Sequence, residues 1–135
     1  MKIIIDCNIW ISFLLGHQTA LMRKILTDPA VDIFVCRELL AEIRDVAGRE
    51  KIRRYTDASE VADLLNLIHS FCLCTDVRQT ATSPVRDSKD LYLLSLAETV
   101  GADYLVSGDK DLLVLESHGQ TQMIKLLDFK LLHGL

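Results

Sequence analysis

Residues 2–6 read KIIID, three consecutive isoleucines followed by an aspartate. β-branched side chains favour extended backbone, and an unbroken apolar run without polar alternation belongs to a strand covered on both faces. A strand of that kind sits in the middle of a parallel sheet, which restricts the chain to α/β architectures. The run nevertheless ends on a charge. A carboxylate at the end of a buried strand either caps the next element or has a partner of its own.

The rest of the chain continues the pattern. Asn8 is placed to cap a helix through IWISFLL, stopped by Gly16, and a short helix over Ala20 to Leu26 closes at Asp28-Pro29. VDIFVC reads as a second strand. Leu39, Leu40, Ile43 and Val46 then share one face of a helix from Arg37 to about Ala47, ended by Gly48, and Val61, Leu64, Leu65 and Ile68 do the same over Ala58 to Ser70. FCLCT is a short strand and VRQTATSPVR a polar loop.

After the loop, Asp87 stands at an N-cap position with Asp90 third in the helix that carries LYLLSLAETV and stops at Gly101. ADYLVSGD reads as a strand, DLLVLE as a short helix, TQMIKLL as a last strand or strand-like segment and DFKLLHGL as a tail. Strands alternating with helices imply right-handed βαβ units and a mainly parallel sheet with helices on both faces.

Composition narrows the class. A length of 135 residues suits one domain, spanning 1–135, and a chain half hydrophobic and one-quarter charged is not a disordered segment. No apolar stretch approaches the roughly 18 to 20 residues of a membrane span, and Asp6 interrupts any signal-peptide pattern, so a cytoplasmic protein is expected. The cysteines at 7, 36, 72 and 74 form no CxxC pair and have no histidine at zinc-finger spacing, which leaves them as reduced, mostly buried thiols. A net charge of −4 excludes a generally basic nucleic-acid binder but not a local basic patch.

In an open α/β sheet, ligands gather beyond the carboxyl ends of the strands. Asp6 and Asp109 end strands there, Glu42 lies on the helix leaving the second strand, and Asp90 opens the helix after the polar loop. Four acids from four segments can thus reach one rim. Two carboxylates about 4 Å apart repel by roughly 4 kcal/mol at an effective dielectric of 20, so converging acids need protons or a cation. Oxygen donors without clustered histidine or thiolate suit Mg²⁺ or Mn²⁺. Such a site points to phosphodiester hydrolysis, with nucleic acid as substrate.

DCN followed by an apolar helix, LLAEI after a strand, the block RDSKDLYLLSLAETVGADYLVSGDKDLL and a late LLDF together resemble a PIN domain over nearly the whole chain. Within that family they are most similar to the VapC-like toxins of toxin-antitoxin pairs. The resemblance implies a three-layer α/β/α sandwich with a mainly parallel sheet and a metal-dependent endoribonuclease acting on RNA. It also implies a homodimer or higher homo-oligomer and a cognate antitoxin that holds the enzyme inactive. It assigns the acids to Asp6, Glu42, Asp90 and Asp109, and matches Asn8 and Ser107 to polar positions that support the acidic site. Cys36-Arg37 departs from the serine or threonine cap usual before the glutamate helix, and Ser83-Pro84-Val85 makes the loop before Arg86-Asp87 less typical.

Each candidate also has a plainer reading. Asp6 alone reads as a strand end that caps the next helix, and with the SGDKD block as a metal ligand; Glu42 reads as an exposed acid paired with an arginine or, in preference, as a ligand or water-orienting base. Asp87 is better explained as a cap than as a ligand, and Asp111 as either an outer ligand or the cap of DLLVLE. Between 44 and 54, RDVAGREKIRR with Arg49, Lys51, Arg53 and Arg54 reads either as a phosphate-tracking surface or as a solvated helix face. Arg86, Lys89 and Lys110 stand beside the acids and are better placed to meet a scissile phosphate. The four histidines, 17, 69, 118 and 133, are structural or surface residues, and strand alternation should turn Cys7 into the core.

Other classes fit less well. A receiver domain would show paired acids after its first strand, a haloacid-dehalogenase-type phosphatase would have an acid where Asn8 stands, and a dinucleotide-binding loop would carry GxGxxG. A non-catalytic PIN-like module shares the resemblance, but its usual sign is the loss of two or more acids and all four are present; an RNA processing or turnover nuclease that is not a toxin shares both the fold and the acids.

Overall fold

The computed structural model describes residues 1–77 and 88–135, the side chains of Ser88 and Lys89 excepted. The polar loop, Arg86 and the expected cap Asp87 therefore lie outside the described residues, apart from Val77 at the loop's start. KIII forms β1 (Lys2–Ile5), and Ile3, Ile4 and Ile5 are completely buried, as a strand covered on both faces requires. The first helix, α1 (Cys7–Leu14), takes Asp6 as its N-cap residue instead of Asn8, which lies exposed in the first turn. Extended backbone at Asp6 carries the strand directly into the helix, so no residue is left over for a later cap. Cys7 is buried as expected, as the first residue of that helix and not of the strand.

α2 (Thr19–Thr27) leads to β2 (Asp32–Val35), and α3 (Arg37–Ala47) covers the expected range. A one-turn helix, α4 (Glu50–Arg53), occupies part of the basic segment, for which a solvated helix face is one of the two readings of the sequence. α5 (Ala58–Phe71) begins with a capping box, Asp57 accepting from the Glu60 N–H while Glu60 accepts from the Asp57 N–H. β3 (Leu73–Cys74), α6 (Ser88–Val100), β4 (Tyr104–Val106) and the one-turn α7 (Lys110–Leu113) follow.

The carboxyl-terminal part departs most from expectation. β5 (Ser117–His118) turns at Gly119, which has φ +59°, into β6 (Thr121–Ile124), and the strand stops there instead of running to Leu127. The supposed tail is a helix, α8 (Leu126–His133), closed by Gly134 in the left-handed conformation. Its Phe129 is fully buried and packs edge-on against Tyr104 at 5.7 Å, so α8 belongs to the core.

The described strands form a six-stranded sheet in the order β3-β2-β1-β4-β6-β5, parallel except for the β5–β6 hairpin. Packed with helices it makes an α/β sandwich. The chain moves outward from β1 through β2 to β3, then returns to place β4 on the other flank of β1. Strand order reverses between β1 and β4, the position where such sheets open a crevice at their carboxyl edge. All four cysteines are thiols, and no helix among the described residues is long and apolar enough to cross a membrane.

Candidate active site

Asp6 and Ser107 follow β1 and β4, the two strands that flank the reversal. The Asp6 N–H donates to the Val106 carbonyl at 2.9 Å and the Ser107 N–H to the Ile124 carbonyl at 2.9 Å, so both residues are held by continuations of the sheet ladder. Ser107 Oγ donates to Asp6 Oδ2 at 2.7 Å and accepts from the Asp109 N–H at 3.0 Å. One buried hydroxyl thereby uses its donor on one acid and its lone pair on the backbone of another. Asp109 in turn accepts from the Asp111 N–H at 2.9 Å and is the N-cap of α7. The cap of that helix is therefore Asp109 and not Asp111, whose side chain is exposed.

Glu42 comes from α3, where a half-buried position replaces the exposed, arginine-paired one open from sequence. The Tyr92 hydroxyl, from α6, donates to Glu42 Oε2. The sequence reading assigns Tyr92 no role. The available signal was that a tyrosine turned inward needs a polar partner, but its partner fifty residues earlier is supplied by the meeting of α3 and α6. Burial and the Glu42 carboxylate hold the Tyr92 phenol far above its ordinary range, so it stays a donor. Asp90, third in α6, is buried, and α6 also touches β1.

Burial raises the Asp6 pKa above the ordinary carboxylate value, opposed by the Ser107 hydroxyl and the Cys7 backbone and reinforced by the negative charges of Glu42 and Asp109. The charges of Glu42 and Asp109 thus both reach Asp6 at the crevice. Among the described residues, no three acidic, histidine or cysteine side chains stand close enough together to hold one ion. In kind, however, the donors fit a hard divalent cation: carboxylate oxygens, with no imidazole or thiolate described among them.

The basic residues are divided. Arg49 pairs with Asp45 at 3.1 Å and Arg54 with Glu50 at 3.8 Å, both exposed and each reaching an acid four residues earlier, which engages two of the segment's cations. Lys51 and Arg53 are exposed, and Arg53 and Arg44 line an open cavity of about 330 Å³ between α3 and α5. Lys110 is exposed at the start of α7. His118 meets Glu98 at 2.7 Å, His133 packs on Phe129 and Tyr104, and His17 and His69 are exposed, none of them in the acidic crevice.

A comparison with curated protein sequences matched none. Among solved structures, the chain is similar to VapBC2 from Rickettsia felis, seen bound to a DNA fragment from its promoter. The TM-score is 0.62 and the identity 14%, over 93% of this chain and 98% of that one. It is also similar to the PIN domain of human SMG5, with TM-score 0.55 and 12% identity over 98% and 99% of the two chains. The PIN domain of T. brucei RRP44 gives TM-score 0.50 and 16% identity over 98% and 79%. At these identities the likeness is one of fold. The PIN-domain family model matches residues 2–111, from the first strand through Asp109 and Asp111, and the chain belongs to the PIN-domain family.

Proposed function

We propose that this chain is a Mg²⁺- or Mn²⁺-dependent endoribonuclease that hydrolyses RNA phosphodiester bonds, and that it is the toxin of a toxin-antitoxin pair. The observation that supports the reading is the convergence of the Glu42 and Asp109 charges on buried Asp6 at the strand-order reversal, where burial and like charge already disfavour the ionised Asp6. Asp6, Glu42, Asp90 and Asp109 would hold the ion, which when bound lowers the pKa of water and offsets charge on the phosphodiester. Ser107 and Tyr92 orient two of the acids, and Asn8, Asp111 and Asp87 are candidates for outer support. Arg86, Lys89 and Lys110, with the exposed cations of residues 49–54, are candidates to meet the RNA backbone.

The similarity to VapBC2 supports an antitoxin as partner, and the exposed Leu127, Leu131 and Leu132 of α8 favour a further protein surface, as in a homodimer. Cleavage of structured and unstructured RNA with Mn²⁺ or Mg²⁺ tests the enzyme. Wild type should cut, Asp6→Asn and Asp90→Asn should lose at least about 100-fold, and chelator should stop the reaction. Cleavage indifferent to both substitutions and to chelator would sink it. Expression without an antitoxin should arrest growth, and Asp109→Asn should relieve the arrest; harmless expression of an active protein would point to RNA processing or turnover instead.

A further inference from the structure

We infer that Tyr92 is a positioning residue of the acidic site, whose hydroxyl fixes Glu42 through Oε2 and presents Oε1 to the divalent cation. The inference rests on the metal-site reading above and adds to it a residue from outside the acidic set. An unheld glutamate on a helix turns about three side-chain bonds, and ordering it on binding costs rotamer entropy. A tyrosine ring has two such bonds, and Tyr92 is half-buried where α6 meets α3, so its oxygen is a fixed point. A hydroxyl donating to an ionised carboxylate is also among the stronger hydrogen bonds. The ordering of Glu42 is thus completed on folding.

The placement gives the tether a second consequence. Tyr92 lies two residues beyond Asp90 on α6, so one helix both delivers an acid and holds the acid of another helix. The Ser107 hydroxyl does the same for Asp6 from the end of β4. Two of the site's acids are therefore each clamped by a hydroxyl that arrives from a different element. Such outer partners of ligating carboxylates typically govern metal affinity by 10- to 100-fold.

A plain interhelical staple would affect only stability, and Mn²⁺ affinity separates the two roles. The signal of free Mn²⁺ in electron paramagnetic resonance falls as the metal binds, and a titration of wild type, Tyr92→Phe, Glu42→Gln and the double variant reads the dissociation constants directly. Tyr92→Phe is expected to weaken Mn²⁺ by about 10- to 100-fold. The double variant is expected to bind no more weakly than Glu42→Gln alone, because the hydroxyl acts through that carboxylate. Should Tyr92→Phe fold poorly, Glu42→Asp keeps the charge and withdraws it from the hydroxyl, with the same expected loss. Tyr92→Phe or Glu42→Asp binding as wild type does, or losses that multiply in the double variant, would overturn the positioning role while leaving the metal site standing. Wild type that retains no Mn²⁺ would overturn the metal site itself and this inference with it.

Discussion

Ser107 and Asp6 are 101 residues apart in the chain and 2.7 Å apart in the molecule, hydroxyl to carboxylate. β1 and β4 lie side by side in parallel register, Ile5 opposite Val106, so the residue after each strand emerges at the same height on the same edge. The bond is a direct product of that register, and a one-residue slip of either strand would put the two side chains on opposite faces of the sheet.

Ser107→Ala should therefore be costly for so small a change. It leaves the buried Asp6 carboxylate and the Asp109 N–H each short of a partner, and a loss of about 1–3 kcal/mol is expected from urea unfolding. A loss below about 0.3 kcal/mol would mean that the hydroxyl is not shared between them.

Asp6→Asn should stabilise the metal-free protein near neutral pH. The folded pKa of Asp6 is raised above 3.8, chiefly by burial, so between the two values the native state binds the extra proton. Stability from this group is greatest below 3.8 and falls as pH rises through the folded value. The advantage of Asp6→Asn over wild type, measured by thermal unfolding in chelator, should grow with rising pH across that window and vanish in acid. An Asp6→Asn protein less stable than wild type at pH 7 in chelator would contradict the assignment.

Alkylation should sort the cysteines. Burial pushes the Cys36 thiol up to about 11 and the Cys72 thiol up to about 12, and Cys7 is buried, while Cys74 is exposed on β3. Because the thiolate is the nucleophile, iodoacetamide at pH 7.5 should mark Cys74 first in the native protein and reach the other three only on unfolding. Peptide mass mapping reads the order, and early labelling of Cys36 would show that its burial is wrong.

Phe129→Ala tests whether the last helix is part of the core. Removing a fully buried aromatic that packs on Tyr104 should cost about 3–5 kcal/mol. A peripheral tail would give a change below about 1 kcal/mol in the same urea titration.

What could be read in advance follows from how local each signal was. The burial of β1 was written in three adjacent isoleucines, and α3 and α5 in apolar residues at helical spacing, because period and side-chain shape are properties of neighbouring residues. The last third was harder. LLDFKLLH has helical spacing, but its contiguity with TQMI masked the change of period, and only Phe129 seating against Tyr104 decides that the segment is a helix. Asn8 and Asp6 both suit the cap of α1 in sequence, and the abrupt strand-to-helix passage selects Asp6.

For the candidate site, the sequence by itself determined which acids stand at the ends of elements: Asp6 after a buried strand, Asp109 after another, Asp90 in a helix opening. It did so because strand burial and helix starts are encoded within a few residues. Only the tertiary structure decided their company. That Ser107 clamps Asp6, that Asp109 caps α7 in place of Asp111, and that Tyr92 holds Glu42 all depend on contacts between segments far apart in the chain. Such contacts are set by strand order and helix packing, to which no single stretch of sequence contributes more than one side.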